Sequence, residues 1–361
     1  MAELSWREQH FTLDPPLVNA RGRWSERRGL VLTLQDDDGR LGHGECSPLP
    51  GYSSDTVDDA ERALNVLARS LSDELTTLDD ARALLEAVAR LVPSSLPALR
   101  FALETAALDR LGQARGAPLW RLLGELTGSA AAPDGVALAA LLPGDDATHA
   151  LAQARELMAR GVQCFKLKLG PGVCSPAQLA TFEALRRELP ANVSLRLDAN
   201  ASLDPARLAE SLHELAAFTP ELVEEPIDLA HCDDAVLRTL AAARIPIALD
   251  ESLRSLTSLD AVLAQSWCDS VVLKPTTLGG FLRCNELAQH AVARGRGVIV
   301  SHTFEGPVGW AACAQLALAL GPARAAGLWP QAGQCPSELA ERVLNGGRLL
   351  PFLGPGLGAT P

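Results

Sequence analysis

Apolar and polar residues alternate from Gly29 to Leu34 and again from Leu41 to Glu45, on either side of the turn pair Asp38-Gly39. That arrangement predicts a β-hairpin, because period-two alternation suits a sheet with one buried face and Asp-Gly suits a tight turn. A Pro- and Gly-rich loop, Ser47 to Ser54, follows. From Asp55 to Leu123 the apolar spacing turns helical, with one stretch over Ala98 to Leu111 and an end near Gly124. Residues 1–130 therefore read as an α+β domain, followed by a small-residue linker around Gly128 to Gly135.

Beyond the linker, short apolar runs alternate with helical stretches, the signature of repeated βα units. Strands are predicted near Val136–Leu142, Gln163–Leu169, Ser194–Asn200, Leu222–Glu225, Pro246–Asp250, Ser270–Lys274 and Gly297–His302, with a weaker eighth near Ala326–Trp329. Helical stretches such as Pro176–Glu188, Pro205–Phe218 and Gly280–Arg294 separate them. Seven or eight such units suit a closed parallel barrel with outer helices better than an open doubly wound sheet. No Gly-X-Gly-X-X-Gly follows any of these strands, which argues against a dinucleotide fold.

Composition narrows the function classes. With 47% apolar and 21% charged residues the chain is globular. Its 32 basic residues against 44 acidic ones give a net charge of −12, a field that repels nucleic acid and anionic membranes. An anionic substrate would need a local positive site, from lysines or a metal. The eight cysteines are scattered without a Cys-X-X-Cys pair, which argues against structural zinc and a redox dithiol. Met1 to Trp6 has no leader-like pattern and no run reaches the ~20 apolar residues of a membrane helix, so the chain is expected to be soluble and cytoplasmic.

In a parallel barrel, chemistry gathers at the C-terminal ends of the strands. Five of the predicted strands close on charge: Lys166-Leu167-Lys168, Asp198-Ala199-Asn200, Glu224-Glu225-Pro226, Asp250-Glu251-Ser252 and Lys274-Pro275. Residues two apart share a strand face, so Lys166 and Lys168 are expected inside the barrel, with Phe165, Leu167 and Leu169 against the outer helices. A buried ammonium is costly unless it is paired or used. Asp198, Glu224 and Asp250 stand 26 residues apart at each step, one βα unit, so three neighbouring strands aim a carboxylate at one point. Such a set suits a hard cation, Mg²⁺ or Mn²⁺, better than zinc. Glu225 competes with Glu224, since strand parity cannot decide at a chain end; we take Glu224. Asn200 is a candidate to orient a ligand or bind substrate, or a turn residue. Lys274 ends the sixth strand, across the ring from the second, and opposed lysines around a metal suggest acid/base chemistry.

In this order the five motifs resemble the muconate-lactonizing subgroup of the enolase superfamily and, within it, the o-succinylbenzoate synthase family. Gly42 to Tyr52 resembles that family's mobile capping loop, and Ala102 to Asp109 its capping helix. The resemblance implies an α/β fold: a modified (β/α)₇β TIM-like barrel over 131–330 beneath an α+β capping domain, to which residues 331–361 return. It implies that Asp198, Glu224 and Asp250 hold the metal and that Lys168 takes an α-proton with a divalent cation stabilising the ene-diolate. Lys274 would stabilise the enolate from the opposite face, and Lys166 would tune Lys168 and meet the substrate carboxylate. The implied reaction is a hydro-lyase step of menaquinone synthesis, acting on a small carboxylate. Pro50 and Tyr52 would approach the substrate from the loop, and Ser301, Thr303, Glu305 and Gly306 lie where the family binds the succinyl side chain. The wording of 301–306 departs from the family pattern, and His302 is expected to be structural because two lysines already fill the acid/base roles.

An N-acylamino-acid racemase, or another epimerase or cycloisomerase, would use the same constellation. Dipeptide epimerases of the superfamily carry an Asp-X-Asp pair late in the barrel, whereas the last aspartate here is Asp269. A non-catalytic barrel would have lost a ligand or a lysine, and none is missing. Oligomeric state has no signature in the chain.

Overall fold

The predicted hairpin is the inner part of a three-stranded antiparallel sheet of β1 (Glu3–Asn19), β2 (Gly22–Gln35) and β3 (Leu41–Cys46), in that order. The structure, a computed structural model, describes residues 2–128, 134–172, 174–229, 232–255, 259–331 and 334–358, so most of the expected linker lies outside the described residues. β1 was not expected. Its polar run Arg7-Glu8-Gln9-His10 hides the alternation, and its ladder with β2 shifts register between Thr12 and Leu17, around Pro15-Pro16.

Four helices follow, α1 (Val57–Leu75), α2 (Ala81–Leu91), α3 (Pro97–Arg115) and α4 (Leu119–Thr127); α1 and α3 pack on the sheet, and α2 and α4 pack on α3. α1 starts at a capping box between Thr56 and Asp59. α3 lies directly on β3, and two glycines allow it. A Cβ on Gly42 would stand 2.0 Å from the Ala106 carbonyl oxygen, and one on Gly44 would stand 1.9 Å from that of Ala102.

The second half begins with β4 (Val136–Ala137) and then alternates: β5 (Ala139–Leu142), α5 (Ala147–Ala159), β6 (Cys164–Lys168), α6 (Pro176–Glu188), β7 (Ser194–Asp198), α7 (Leu208–Ala216), β8 (Leu222–Glu224), α8 (Asp234–Ala243), β9 (Ile247–Leu249), α9 (Leu259–Leu263), β10 (Cys268–Leu273), α10 (Pro275–Leu278), α11 (Phe281–Ala293), β11 (Gly297–Val300) and α12 (Pro307–Leu320). β5 to β11 form one parallel sheet in sequence order. The expected eighth strand is a two-residue stitch joining the sheet's two edges. Ala326 exchanges bonds with Ala137 and Ala139, both 2.8 Å, and Gly327 N–H donates to the Val300 carbonyl at 2.8 Å.

The tail adds α13 (Ser337–Val343), β12 (Leu344–Asn345) and β13 (Arg348–Leu349), which pairs with β4 before the chain reaches the N-terminal helices. There Leu357 N–H donates to Asp109 at 2.7 Å and Leu119 N–H to the Gly356 carbonyl at 2.8 Å. Buried side chains, Glu45, Arg27 and Glu104 among them, join the halves. Glu45 accepts from Gly306 N–H (2.6 Å) and Gly309 N–H (2.9 Å) at the start of α12. Arg27 donates to the carbonyls of Ser47, Pro48, Thr303 and Phe304. Glu104, on α3, accepts from Phe281 and Leu282 at the start of α11. Among the described residues no helix is long and apolar enough to cross a membrane, and all eight cysteines are free.

Candidate active site

Strand parity sets the site. On β6, Phe165 and Leu167 are fully buried in the large apolar core, while Lys166 and Lys168 line a cavity of about 60 Å³ inside the ring. The ammonium of Lys166 lies 2.6 Å from Asp198 Oδ2 and 2.7 Å from Glu224 Oε1. Lys168 reaches the same Asp198 oxygen at 2.5 Å. Lys274, just past β10, contacts Asp250 Oδ2 and lies 3.8 Å from Glu224 Oε1. The three strand-end acids and three lysines thus form one chain of ion pairs across strands two to six of the ring.

Glu224, not Glu225, is the member facing the lysines. Glu225 takes a left-handed backbone (φ 38°), and its carboxylate turns to the next loop, accepting from Asp250 N–H at 2.6 Å and from the Ser252 hydroxyl. Asn200, also left-handed (φ 47°), accepts from the Lys168 ammonium at 3.1 Å and donates to Glu251 at 3.1 Å.

The ionisation of the lysines diverges. Burial lowers Lys168 below the ordinary lysine range, and the charges of Lys166 and Lys274 add to this, outweighing the pull of Asp198. For Lys166, burial is overcome by Asp198 and Glu224, so its pKa rises. For Lys274, burial is overcome by Asp250, Tyr52 and Glu224, and its pKa rises well above the usual value. Burial also acts on the acids, raising Glu224 and Asp250 with help from neighbouring carboxylates. In Asp198 the three lysines overcome burial and hold it well below the carboxylate range.

Tyr52 comes from the Ser47–Ser54 loop. Its hydroxyl donates to Asp250 Oδ2 at 2.9 Å and accepts from Lys274 at 3.0 Å, and Arg254, Lys274 and Arg21 stand 4.9, 5.3 and 5.6 Å from its ring centroid. With Leu13, Leu17 and Leu49, and with Phe11, Trp24 and Phe304 against them, Tyr52 builds a small apolar cluster. Pro50 is exposed and only its carbonyl is used, by Trp24 Nε1 at 3.0 Å.

Ser301 lines the cavity and its hydroxyl donates to Gly327 at 3.1 Å, across the stitch. Thr303, Glu305 and Gly306 do not line it. Glu305 accepts from Thr303 N–H at 2.6 Å and from the Thr276 hydroxyl, while Gly306 serves Glu45, so these three tie the loop to its supports. Residues not anticipated complete the wall: His302, Phe304, Trp329, Gln331 and, deeper, Arg196. Arg196 sits two before Asp198 on β7, so the parity rule applied to the lysines reaches it too. It is held by Glu221 at 2.9 and 3.1 Å.

Among the described residues no three His, Cys, Asp or Glu side chains are already gathered at metal-ligand spacing. The carboxylates are linked through ammonium groups, and Lys166 acts as a hard cation shared by Asp198 and Glu224. The donor set is all oxygen, buried and acidic, which fits a hard divalent ion.

Residues 149–361 match the enolase C-terminal domain-like family, and residues 8–107 match the family described as MenC, N-terminal domain. The chain is similar to the o-succinylbenzoate synthase of Thermosynechococcus vestitus, 32% identical over 76% of this chain and 76% of the relative. It is also similar to the o-succinylbenzoate synthase of Desulfotalea psychrophila, 29% identical over 96% of this chain and 98% of the relative. A crystal structure of a dipeptide epimerase from Methylococcus capsulatus, complexed with Mg and L-Arg-D-Lys, superposes with a TM-score of 0.79 at 25% identity, covering 99% of this chain and 98% of that one.

Proposed function

The chain belongs to the enolase superfamily and is an enzyme, and we propose that it is an o-succinylbenzoate synthase. It would remove water, in syn fashion, from 2-succinyl-6-hydroxy-2,4-cyclohexadiene-1-carboxylate to give 2-succinylbenzoate for menaquinone synthesis. One observation carries the reading: carboxylates from three consecutive strands, Asp198, Glu224 and Asp250, lie between Lys168 on the second strand and Lys274 after the sixth. The synthases among the relatives and the matching N-terminal family favour dehydration within that scheme.

Asp198, Glu224 and Asp250 would hold Mg²⁺, with Mn²⁺ as the alternative. A divalent ion bound there supplies positive charge against the charge that builds on the substrate carboxylate. Lys168, the lysine with the lowered pKa, takes the α-proton as a neutral amine. In a syn elimination the same ammonium then gives that proton to the departing hydroxyl: the C–H and C–O bonds break, water leaves, and the ring becomes aromatic. Asn200 holds the Lys168 ammonium in line through its side-chain carbonyl. Lys274 stays cationic and stabilises the developing enolate from the far side, and Lys166 meets the carboxylate.

The two lysines on opposite sides of the ring also suit an N-acylamino-acid racemase, which needs a base on each face. Asp250 and Tyr52 both hold the Lys274 ammonium, so acting as a second base would require it to give up those contacts. The test is direct. Purified protein with Mg²⁺ should consume the cyclohexadiene, followed by its ultraviolet absorbance. Lys168→Ala should slow this by roughly 10³-fold or more with an unchanged circular dichroism spectrum. Racemisation of N-acylamino acids without dehydration would overturn the assignment.

A further inference from the structure

His302 follows β11 and is buried, and its Nδ1 is approached from two sides. Phe304 N–H donates to it at 3.0 Å, and Gln334 Nε2 lies 3.1 Å away. Backbone groups set the polarity of that amide: Gln334 Oε1 accepts from Gln331 N–H at 2.8 Å, and Nε2 donates to the Glu305 carbonyl at 3.2 Å. A backbone N–H only donates and a carbonyl only accepts, so Gln334 turns a donor to His302. Two donors leave Nδ1 without a proton, and a neutral imidazole must then carry its proton on Nε2. Burial, followed by Lys274, Lys166 and Lys168, drives the ring's pKa down to about 3. The ring is therefore neutral, and its tautomer is chosen by groups outside the cavity.

Among the described residues Nε2 makes no hydrogen bond, and His302 lines the cavity. It stands after the seventh strand, whereas the acids end strands three to five. Ser301, Phe304, Trp329 and Gln331 line the same cavity, and among its described lining residues the carboxylate is that of Glu224, already paired with Lys166. A substrate gripped by one carboxylate at the acidic end would turn its distal group toward a fixed donor. A distal ammonium would meet the imidazole Nε2–H, and the cavity's carboxylate, Glu224, is already engaged by Lys166.

We propose that His302 is a substrate-binding residue whose Nε2–H, locked in place by the positioning residue Gln334, receives a carboxylate at the distal end of the substrate and selects against distal ammonium groups. The choice of a distal carboxylate rests on the dehydration reading; the tautomer does not.

Two measurements on the full-length protein separate these parts. In ¹⁵N-histidine-labelled protein, with the His302 signals assigned by their loss in His302→Phe, Nδ1 should be bare and Nε2 protonated throughout about pH 5 to 8. A proton on Nδ1 overturns the proposal whatever reaction the enzyme runs. Calorimetry with 2-succinylbenzoate and with benzoate then tests the contact. His302→Phe should weaken 2-succinylbenzoate roughly 10- to 100-fold, the cost of losing a hydrogen bond to a charged acceptor, and leave benzoate unchanged. Gln334→Leu should weaken 2-succinylbenzoate by less and allow the Nδ1 proton to appear; if this variant does not fold, the wild-type spectrum still decides. Equal weakening of both ligands in His302→Phe, or none, removes the role given to His302. If wild-type protein does not bind 2-succinylbenzoate at all, the dehydration reading fails together with the distal carboxylate.

Discussion

Removing one oxygen from the chain's only tyrosine tests whether the Ser47–Ser54 loop helps to hold the end of the site proposed to bind a metal. In Tyr52→Phe the ring and its apolar contacts remain, but Asp250 loses a donor at 2.9 Å and Lys274 an acceptor at 3.0 Å. Hydrogen bonds to charged groups contribute about 1.5–3 kcal/mol each. Lys274 and Asp250 still pair directly, so the uncompensated loss is close to one such bond, about 2 kcal/mol, or roughly 30-fold in an equilibrium constant. That agrees with the 10- to 100-fold typical of losing a partner behind a metal ligand. Titration calorimetry should therefore show the Kd for Mg²⁺ rising about 30-fold, while turnover at saturating Mg²⁺ falls by less than roughly tenfold because Lys168 is untouched. Loss of tyrosine absorbance confirms the substitution. An unchanged Mg²⁺ affinity would refute the idea that Tyr52 holds a metal ligand in place.

Two further predictions concern α3, one where it meets α11 and one where it lies on β3. Burial lifts the Glu104 carboxyl to about 8, so the folded state binds its proton more tightly than the unfolded chain does. Its stabilising contribution is complete below the ordinary value of 4.5 and is lost as pH rises through about 8. Glu104→Gln keeps an acceptor for Phe281 and Leu282, so its stability relative to wild type should grow between about pH 5 and 8, by up to a few kcal/mol in denaturant melts. Parallel pH profiles for the two proteins would contradict this. Gly44→Ala forces a methyl into the Ala102 carbonyl and should cost about 3 kcal/mol in urea unfolding as α3 is pushed off the sheet, whereas unchanged stability would show that the helix can shift freely.

The barrel and much of its rim were legible because their signals are local. Two successive βα units are equally long, so Asp198, Glu224 and Asp250 recur at 26-residue steps, and strand parity sends Lys166 and Lys168 inward together. The same parity fails at a strand's last residue. Glu224 and Glu225 could be told apart only once Asp250 N–H and Ser252 were seen to draw Glu225 into a left-handed turn. β1 escaped notice because polar residues fill its middle and its hairpin with β2 shifts register between Thr12 and Leu17. The 301–306 segment read as a substrate loop, yet its Thr303 carbonyl, Gly306 N–H and Glu305 carboxylate face Arg27, Glu45 and Thr276, partners that lie far away in sequence.

Taken alone, the order of residues determined which chemical groups close the barrel strands: acids, lysines and an asparagine, placed by a periodicity that needs no distant partner but leaves Glu224 and Glu225 unseparated. Tertiary structure decided which of those groups is charged, which way each hydrogen bond runs and what encloses them. Lys168 is lowered while Lys274 is raised because their neighbours differ, and one of those neighbours, Tyr52, arrives from the other domain. His302 owes its tautomer to Gln334, on a segment beyond the last barrel helix. Desolvation and donor direction depend on what is packed against a group, and packing is a property of the folded chain.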